Sequence, residues 1–277
     1  MSPLVTALVL GAALLHASWN AIIKSSRDVM LDTALVAAGA SILALPLIAA
    51  VPMPAGASWP FLAASIAIHV GYFATLARAY RVGDLGHAYP LMRGTAPLLV
   101  ALFGVALLNE RPSANMWAGI VLISAGILSI GMLQKGRARR DATLWALTNA
   151  VVIASYTLVD GAGVRVAETA AGYVAWMFLL QGPIFIACVI ALRGRAALAY
   201  ARRNWQRGVA GGLFLIASYG IVLWAMTRAP VAAVAALRET SVIFAALLGS
   251  VFLKEPFGRQ RVIGACAVAL GVMALRL

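Results

Sequence analysis

Charged residues are scarce in this 277-residue sequence, and acidic residues are the scarcest of them. Only 11% of the residues are charged, and 9 Asp and Glu stand against 22 Lys and Arg. A soluble domain carries about 25% charged residues, so this chain cannot cover a water-exposed surface in the usual way. Because 63% of the residues are hydrophobic, the composition excludes an ordinary globular domain and predicts an integral membrane protein.

The motifs of several function classes are also missing. Both cysteines, Cys188 and Cys266, fall in apolar runs without a C-x-x-C or Cys/His spacing, so we predict no metal, no cofactor and no disulfide framework. There is no G-x-x-x-x-G-K loop for nucleotide and no nucleophile–base motif, so we name no catalytic residue. The formal net charge of +13 is interpreted as basic loops beside anionic lipid; the predicted partner is the bilayer, not nucleic acid.

Apolar runs of membrane-span length, roughly 20 residues each, dominate what is present. The first is interpreted as a span and not as a removed signal peptide. Most Lys and Arg residues lie in the odd-numbered loops, which are therefore predicted to be cytoplasmic in a bacterial inner membrane, with both termini outside. The ten predicted spans are 3–23, 31–51, 60–80, 86–109, 114–133, 142–160, 171–192, 208–227, 231–253 and 261–277.

The two halves of the chain repeat each other. The stretch PLMRGTAPLLVALFGVALLNE (90–110) matches residues 235–255 at a constant offset of 145. Isolated Ala and Leu matches carry little weight, but matched Arg, Thr, Gly and Glu at fixed spacing indicate duplication. The matched pairs include Arg93/Arg238, Thr95/Thr240, Gly104/Gly249, Glu110/Glu255, Gly119/Gly264 and Gly126/Gly271.

Five spans in each half must place the second half upside down relative to the first. We therefore predict an all-α integral membrane protein of ten transmembrane helices in two inverted five-helix repeats, 1–139 and 140–277. Inverted repeats are the architecture of many secondary transporters, because one central site can then face either side of the membrane. Small residues on spans 5 and 10 are expected to pack helices closely, either within each half or at a dimer contact, so the protein is a monomer or a homodimer.

Three stretches carry a resemblance to a known family: LHASWNAIIK (15–24), AYPLMRGTAPLLVALFGVALLNERP (88–112) and LLGSVFLKEP (247–256). The chain resembles the EamA-type transporters of the drug/metabolite transporter superfamily, and among them the YddG-type amino-acid exporters. The resemblance implies ten spans in two repeats, a cavity lined by spans 1, 3, 4, 6, 8 and 9, and export of amino acids or other small metabolites. Position 94 matches Glu239 in the repeat but holds a glycine and not an acidic residue, so the two halves are not chemically equivalent.

Polar and aromatic residues inside these spans are the predicted substrate cavity, because such groups mostly face the protein interior. Hydrogen bonding between helices and plain aromatic packing are the alternative interpretations. Two histidines of the set could also carry protons. The predicted cavity residues are His16, Trp19, Asn20, His69, Tyr72, Arg93, Tyr156, Tyr219, Trp224, Arg238 and Glu239.

The two repeated arginines are predicted to guard opposite mouths of the cavity. Arg238 lies about 10 Å into span 9, which starts outside, whereas Arg93 is equally deep in span 4, which starts inside. Adjacent helical residues do not face each other, so Arg238 and Glu239 are expected to pair with other groups. Either arginine could gate the cavity or orient the substrate.

Three further interpretations concern helix ends and kinks. Pro90, Gly94 and Pro97 predict a hinge or a broken helix in span 4, with a static kink as the alternative. Glu110 and Glu255 are expected to cap the following helix, with a salt bridge between the repeats as the alternative. Asp160, at the predicted end of span 6, is interpreted as a boundary residue and not as a proton carrier.

These observations favour a secondary transporter that exports small metabolites, amino acids above all, across the cytoplasmic membrane by alternating access. A carrier or antiporter of anionic metabolites such as phosphorylated sugars is the first alternative, since two arginines could clamp phosphate. A non-transporting membrane scaffold is the alternative of another class, although a scaffold needs neither inverted repeats nor titratable residues within its spans.

Overall fold

The computed structural model of the protein describes residues 1–26, 28–82, 85–132, 140–253 and 259–276. Within these residues the chain is built from α-helices, with a single 3-10 turn at Gly56–Ser58 before the third helix. Glu255 and the boundary between the predicted repeats lie outside the described residues. The helices are α1 (Pro3–Lys24), α2 (Val29–Ala50), α3 (Trp59–Val82), α4 (Leu85–Leu107), α5 (Ala114–Met132), α6 (Arg140–Val166), α7 (Ala170–Arg193), α8 (Arg195–Met226), α9 (Val231–Arg238), α10 (Ser241–Leu253) and α11 (Arg259–Ala274).

Local sequence explains where several helices begin. Ser2 caps α1 by accepting a hydrogen bond from the Val5 amide at 3.3 Å, with Pro3 in the first turn. The Asp28 side chain caps α2 through the Leu31 amide at 3.1 Å. Thr169 caps α7 through the Gly172 amide at 3.0 Å. Each cap satisfies a backbone donor that would otherwise lack a partner at a helix start.

The helices have the length and composition of membrane spans. Among the described residues, eight helical segments are long and apolar enough to cross a membrane, and two shorter apolar helices lie at Ala114–Ile130 and Arg261–Ala274. One of the eight combines α9 with the start of α10, at Val231–Leu248. The predicted all-α integral membrane protein is confirmed, and the ten predicted spans each correspond to a helix or to the α9–α10 pair.

Contacts between helix ends define two faces of the bundle. On one, which we call the basic face, the end of α1 and the start of α2 meet α8: Arg207 pairs with Asp32 at 2.7 Å. On the other, the opposite face, the end of α4 meets the end of α6: Arg165 pairs with Glu110 at 2.8 Å. Successive spans therefore run in opposite directions between the basic face and the opposite face, as membrane-spanning helices joined by short connections must.

The helix contacts follow the inverted repeat. In this comparison α1, α2, α3, α4 and α5 are equivalent to α6, α7, α8, the α9–α10 pair and α11, in that order. Helix α3 packs on α6, and the equivalent helix α8 packs on α1. Likewise α4 packs on α6 as α9 and α10 pack on α1. The equivalent helices α5 and α11 pack against each other, and so do α2 and α7.

Glycines allow the closest of these contacts. A methyl group on Gly119 would approach the Gly271 carbonyl to 2.8 Å, and one on Gly126 would approach the Gly264 carbonyl to 2.8 Å. These pairs join α5 to α11 in antiparallel fashion. The small residues on spans 5 and 10 therefore pack between the two halves of the chain, and the expectation that they pack within each half is wrong.

The contact of α2 with α8 is extensive, whereas the equivalent contact of α7 with α3 is small, and this difference leaves a cavity. Helix α2 packs closely on α8, where a methyl group on Gly39 would overlap the Gly208 carbonyl. Their counterparts α7 and α3 meet towards the opposite face: the Trp59 and Trp176 rings lie 5.3 Å apart, and Ser65 Oγ lies 4.0 Å from Met177 Sδ. Beyond these contacts, towards the basic face, α3 and α7 line an open space.

Candidate functional site

A cavity of about 220 Å³ lies between the two halves of the bundle. It extends from the middle of the helices towards the basic face, where it is lined by Ile23, Val29 and Phe185. Val29 is 56% exposed, so the cavity has a mouth at that face. The predicted site residues that line it are His16, Trp19, Asn20, His69, Tyr72, Arg93, Tyr156, Tyr219 and Arg238.

Glu239 lies behind the cavity wall and ties the two repeated arginines together. Its carboxylate lies 3.1 Å from Arg93 Nε and 3.5 Å from Arg238 Nη2. All three side chains are buried, with exposures of 6% or less. A buried charge is costly unless it is paired, so the Glu239 carboxylate stabilises both buried guanidinium groups.

The meeting of Arg93 and Arg238 corrects the expectation that each guards its own mouth. Helices α4 and α9 contact each other near the middle of the bundle, so two equally deep positions converge on one site. The expectation that Arg238 and Glu239 pair with other groups is correct for their contacts with Tyr156 and Arg93, but the two side chains also lie 3.5 Å from each other. Between α9 and α10 the Glu239 and Thr240 amides donate to the carbonyls three residues before them, so a tighter turn joins the two helices.

Other cavity groups hold the arginines in place. Arg93 Nη2 lies 2.6 Å from His16 Nε2, and its guanidinium lies 5.8 Å from the Tyr89 ring centroid. Arg238 Nη2 donates to the Tyr156 hydroxyl at 3.4 Å. The Asn20 side-chain amide donates to the His16 carbonyl at 2.7 Å within α1.

Several donors at this site retain hydrogen-bonding capacity. Among the described residues, the buried atoms Arg93 Nε, Arg238 Nε and Trp19 Nε1 have no hydrogen-bond partner. The Arg93–Glu239 distance is that of an ion pair, but the Nε–H bond does not point at the carboxylate oxygen. Buried donors in native proteins are nearly always satisfied, and these three belong to side chains that line the cavity.

Aromatic rings line the cavity beside the arginines. His69 stacks on Tyr156 with centroids 4.3 Å apart, and Tyr72 meets Tyr156 edge to face at 5.9 Å. Tyr219 meets Phe178 edge to face at 5.9 Å and His69 at 6.3 Å. The cavity thus combines a cationic region with an aromatic region, which suits a small solute with a polar head and a flat or apolar body.

Asp160 is an important residue whose setting the sequence interpretation misjudged. It was expected at the end of span 6, but α6 continues to Val166, and Asp160 is 0% exposed. Its Oδ1 accepts a hydrogen bond from Tyr173 Oη at 3.0 Å, and its Oδ2 accepts one from Tyr219 Oη at 2.5 Å. Since Tyr219 lines the cavity, Asp160 lies directly behind the cavity wall. In the sequence, the signal was an acidic residue within a predicted span.

Glu110 closes the opposite face. It accepts hydrogen bonds from Arg165 Nη2 at 2.8 Å and from the backbone amides of Val231 at 2.7 Å and Ala232 at 3.3 Å. Asn109 precedes it with a left-handed φ of 53°, which ends α4 and turns Glu110 towards α9. Glu110 therefore caps a helix of the second repeat and not the following helix α5, so the interpretation as a salt bridge between repeats is confirmed.

Asp32 anchors the basic face, and the sequence did not single it out. It is 0% exposed and pairs with Arg207 at 2.7 Å, while Tyr200 Oη donates to it at 2.9 Å. Arg207 also bonds the Ile22 carbonyl at the end of α1. Residues 195–207 form the first part of α8, with a kink at Asn204.

Two remaining predictions concern span 8 and span 4. Trp224 lies towards the opposite face, where Arg228 stacks on its ring at 5.5 Å; it is not among the described residues that line the cavity.

Helix α4 continues through Pro90, Gly94 and Pro97, so the broken span is not span 4 but span 9. Leu128 lies where a side chain on Gly94 would project, at 2.7 Å, which leaves no room for an acid there. A hinge role for these three residues stays a prediction.

Comparisons with known proteins bear on this arrangement. The model of the EamA-like transporter family matches residues 4–132 and 141–277. The chain belongs to the EamA-like transporter family. Its two family matches, one in each half, agree with a bundle built from two sequence-related sets of helices.

Two individual proteins are similar to this family member. An "uncharacterized transporter in cobO 3′ region" of Sinorhizobium sp. is 35% identical over 78 residues, which are 28% of this chain and 54% of that protein. The chain thus spans about half the length of this curated relative. A solved crystal structure, 19% identical, superposes with a TM-score of 0.75 over 98% of this chain and 94% of its own, and shows the shared fold.

Proposed function

We propose that this member of the EamA-like family is a secondary transporter that exports small metabolites, amino acids above all, by alternating access. The observation that carries the proposal is the cavity between the two halves, with a mouth at the basic face and the Glu110–Arg165 contacts at the opposite face. We take the basic face as cytoplasmic, since cytoplasmic loops are rich in Lys and Arg. The cavity then faces the compartment that holds the exported solute.

The chemistry of the cavity supports an amino acid as substrate. A carboxylate would pair with the Arg93 and Arg238 side chains that line the cavity. The side chain of the substrate would lie among the rings of His69, Tyr72 and Tyr156. A volume of about 220 Å³ is at the small end of ligand sites, which favours a solute of this size.

Alternating access requires the opposite face to open when the basic face closes. The contacts that would break are those of Glu110 with Arg165 and with the start of α9. Because α9 ends at Arg238, its eight residues can tilt with little change in α10. A substrate bound at Arg238 would thus act on the same short helix that Glu110 caps.

Anionic metabolites are the second candidate class. The structure places Arg93, Arg238 and His16 around one position, and such a group could hold a phosphate. Glu239 neutralises one of the two positive charges, which favours a solute with a single negative group over a phosphomonoester.

Counterflow into proteoliposomes tests the proposal directly. Vesicles with the purified full chain are loaded with unlabelled L-phenylalanine, L-threonine, L-glutamate or glucose 6-phosphate, and entry of the same radiolabelled solute is followed. We expect entry of at least one amino acid above protein-free vesicles. Entry of glucose 6-phosphate alone would favour the second class, and no entry of any solute would contradict a transport function.

A further inference from the structure

Two buried carboxylates border the cavity, and their partners differ in charge. Glu239 lies between two guanidinium groups. Asp160 is as deeply buried, and the hydroxyls of Tyr173 and Tyr219 donate hydrogen bonds to it. An ionised carboxylate away from water costs several kcal/mol unless a cation compensates it. Glu239 has that compensation from two arginines, whereas Asp160 has hydroxyl partners and the imidazole of His69 near it.

The site of Asp160 is connected to the cavity through side chains that can carry a proton. Tyr219 Oη lies 2.5 Å from Asp160 Oδ2 and lines the cavity. On α3, Ser65 and His69 face the same carboxyl group. His69 Nδ1 lies 3.3 Å from Ser65 Oγ and 2.9 Å from the Ser65 carbonyl, and His69 also lines the cavity. Water in the cavity can therefore exchange protons with Asp160 through one or two side chains.

We propose that Asp160 is a proton-binding site whose protonation couples transport to a proton gradient, with His69 and Tyr219 as its connection to the cavity. This inference rests on the proposed transport function and names its coupling ion. The reaction is a single proton transfer: the carboxylate takes a proton from water in the cavity and becomes a neutral carboxylic acid. Release of the proton to the other side of the membrane restores the carboxylate.

Protonation changes the contacts between three helices. As a carboxylate, Asp160 accepts hydrogen bonds from both tyrosines, one at each oxygen. As an acid, one oxygen carries the proton and becomes a donor and a weaker acceptor, so the hydrogen bond from the tyrosine at that oxygen weakens or reverses its direction. Tyr173 lies on α7 and Tyr219 on α8. The proton therefore alters how α6 holds α7 and α8, which is the kind of differential contact that biases two conformations.

The charged and titratable groups around the site are distributed over every helix that faces it. Helix α3 contributes His69, α7 contributes Tyr173, and α8 contributes Tyr219. On α6 itself, Tyr156 lies one turn earlier, stacks on His69 and accepts a hydrogen bond from Arg238 of α9. On α4, Arg93 is engaged by Glu239 and His16. The two arginines near the site thus have partners other than Asp160, and His69 is the titratable base that interacts with it.

Infrared spectroscopy of the full chain in lipid tests the proton site without any substrate. As the pH is lowered from about 9 to about 5, a C=O stretching band of a protonated carboxyl group is expected to appear and to be absent from Asp160→Asn. Glu239→Gln is the matched control, equally buried, and the same band is expected to remain in it. A spectrum with no pH-dependent band that Asp160→Asn removes would overturn the proposal.

The counterflow assay then separates coupling from transport. With an amino acid that shows counterflow in the wild type, a pH gradient is expected to drive accumulation above the external concentration. In Asp160→Asn, counterflow is expected to persist while the accumulation ratio falls to about 1. Equal accumulation in both proteins would overturn the coupling role and leave transport intact. Absence of counterflow in the wild type would instead contradict the proposed function.

Discussion

The two buried carboxylates beside the cavity, Glu239 and Asp160, have the same depth of burial and opposite electrostatic settings. Glu239 is 2% exposed and contacts Arg93 and Arg238. Asp160 is 0% exposed and accepts hydrogen bonds from two tyrosines. The comparison teaches that burial alone does not assign a role to a membrane carboxylate. A cation partner makes it a fixed charge, and hydroxyl partners leave it able to change charge.

The largest expected effect comes from removing Glu239. Glu239→Ala leaves two guanidiniums buried side by side without their shared carboxylate, and we expect a loss of about 3–5 kcal/mol in the free energy of unfolding. Denaturant unfolding in detergent measures it. The exposed Glu168→Ala is the control, expected to change stability by less than about 0.5 kcal/mol. Equal stability of the two variants would mean that the buried ion pairs are absent.

A smaller effect is expected from the hydroxyls that hold Asp160. Tyr219→Phe and Tyr173→Phe each remove one hydrogen bond and keep the ring, which costs about 1 kcal/mol of unfolding free energy. In the Asp160→Asn background the same two changes should cost less, because the partner group has already changed. Fully additive losses would show that the tyrosines stabilise the fold by packing and not through Asp160.

The smallest effect is expected from Asp160→Asn itself. Asparagine keeps the shape, one carbonyl acceptor and a donor that a tyrosine oxygen can accept, so the unfolding free energy should fall by less than about 1 kcal/mol. The same unfolding measurement checks it. A loss as large as that of Glu239→Ala would indicate that the Asp160 charge holds the bundle together, and the contrast between the two carboxylates would disappear.

The architecture was predictable because it depends on apolar run length and on a repeated pattern of rare residues. The offset that matches Arg93 to Arg238 identified the repeat, and five spans per repeat required inversion. The meeting of these arginines was not predictable from depth alone, since depth says nothing about which helices cross. The break after Arg238 also lacked a signal, because neither proline nor glycine marks it.

Asp160 was misjudged for a physical reason that the structure supplies. Span 6 was predicted to end at Asp160, and Gly161 and Gly163 follow it in the sequence. In the bundle these glycines are packing positions within α6: a methyl group on Gly161 would meet Val231, and one on Gly163 would meet Phe61 and Tyr173. Close approach of neighbouring helices, and not a turn, explains them. The helix therefore continues past Asp160 and buries it.

Counterflow by Arg238→Leu tests most directly whether solute passes through this cavity. Arg238 lines the cavity and has a donor without a partner among the described residues, whereas the exposed Arg202, changed to Leu, is the matched control. We predict that Arg238→Leu lowers the counterflow rate at least about tenfold, which corresponds to about 1.4 kcal/mol, while folded protein is recovered in amounts similar to those of the control. Counterflow at the wild-type rate, with recovery of folded protein reduced instead, would contradict the account and make Arg238 a purely structural residue.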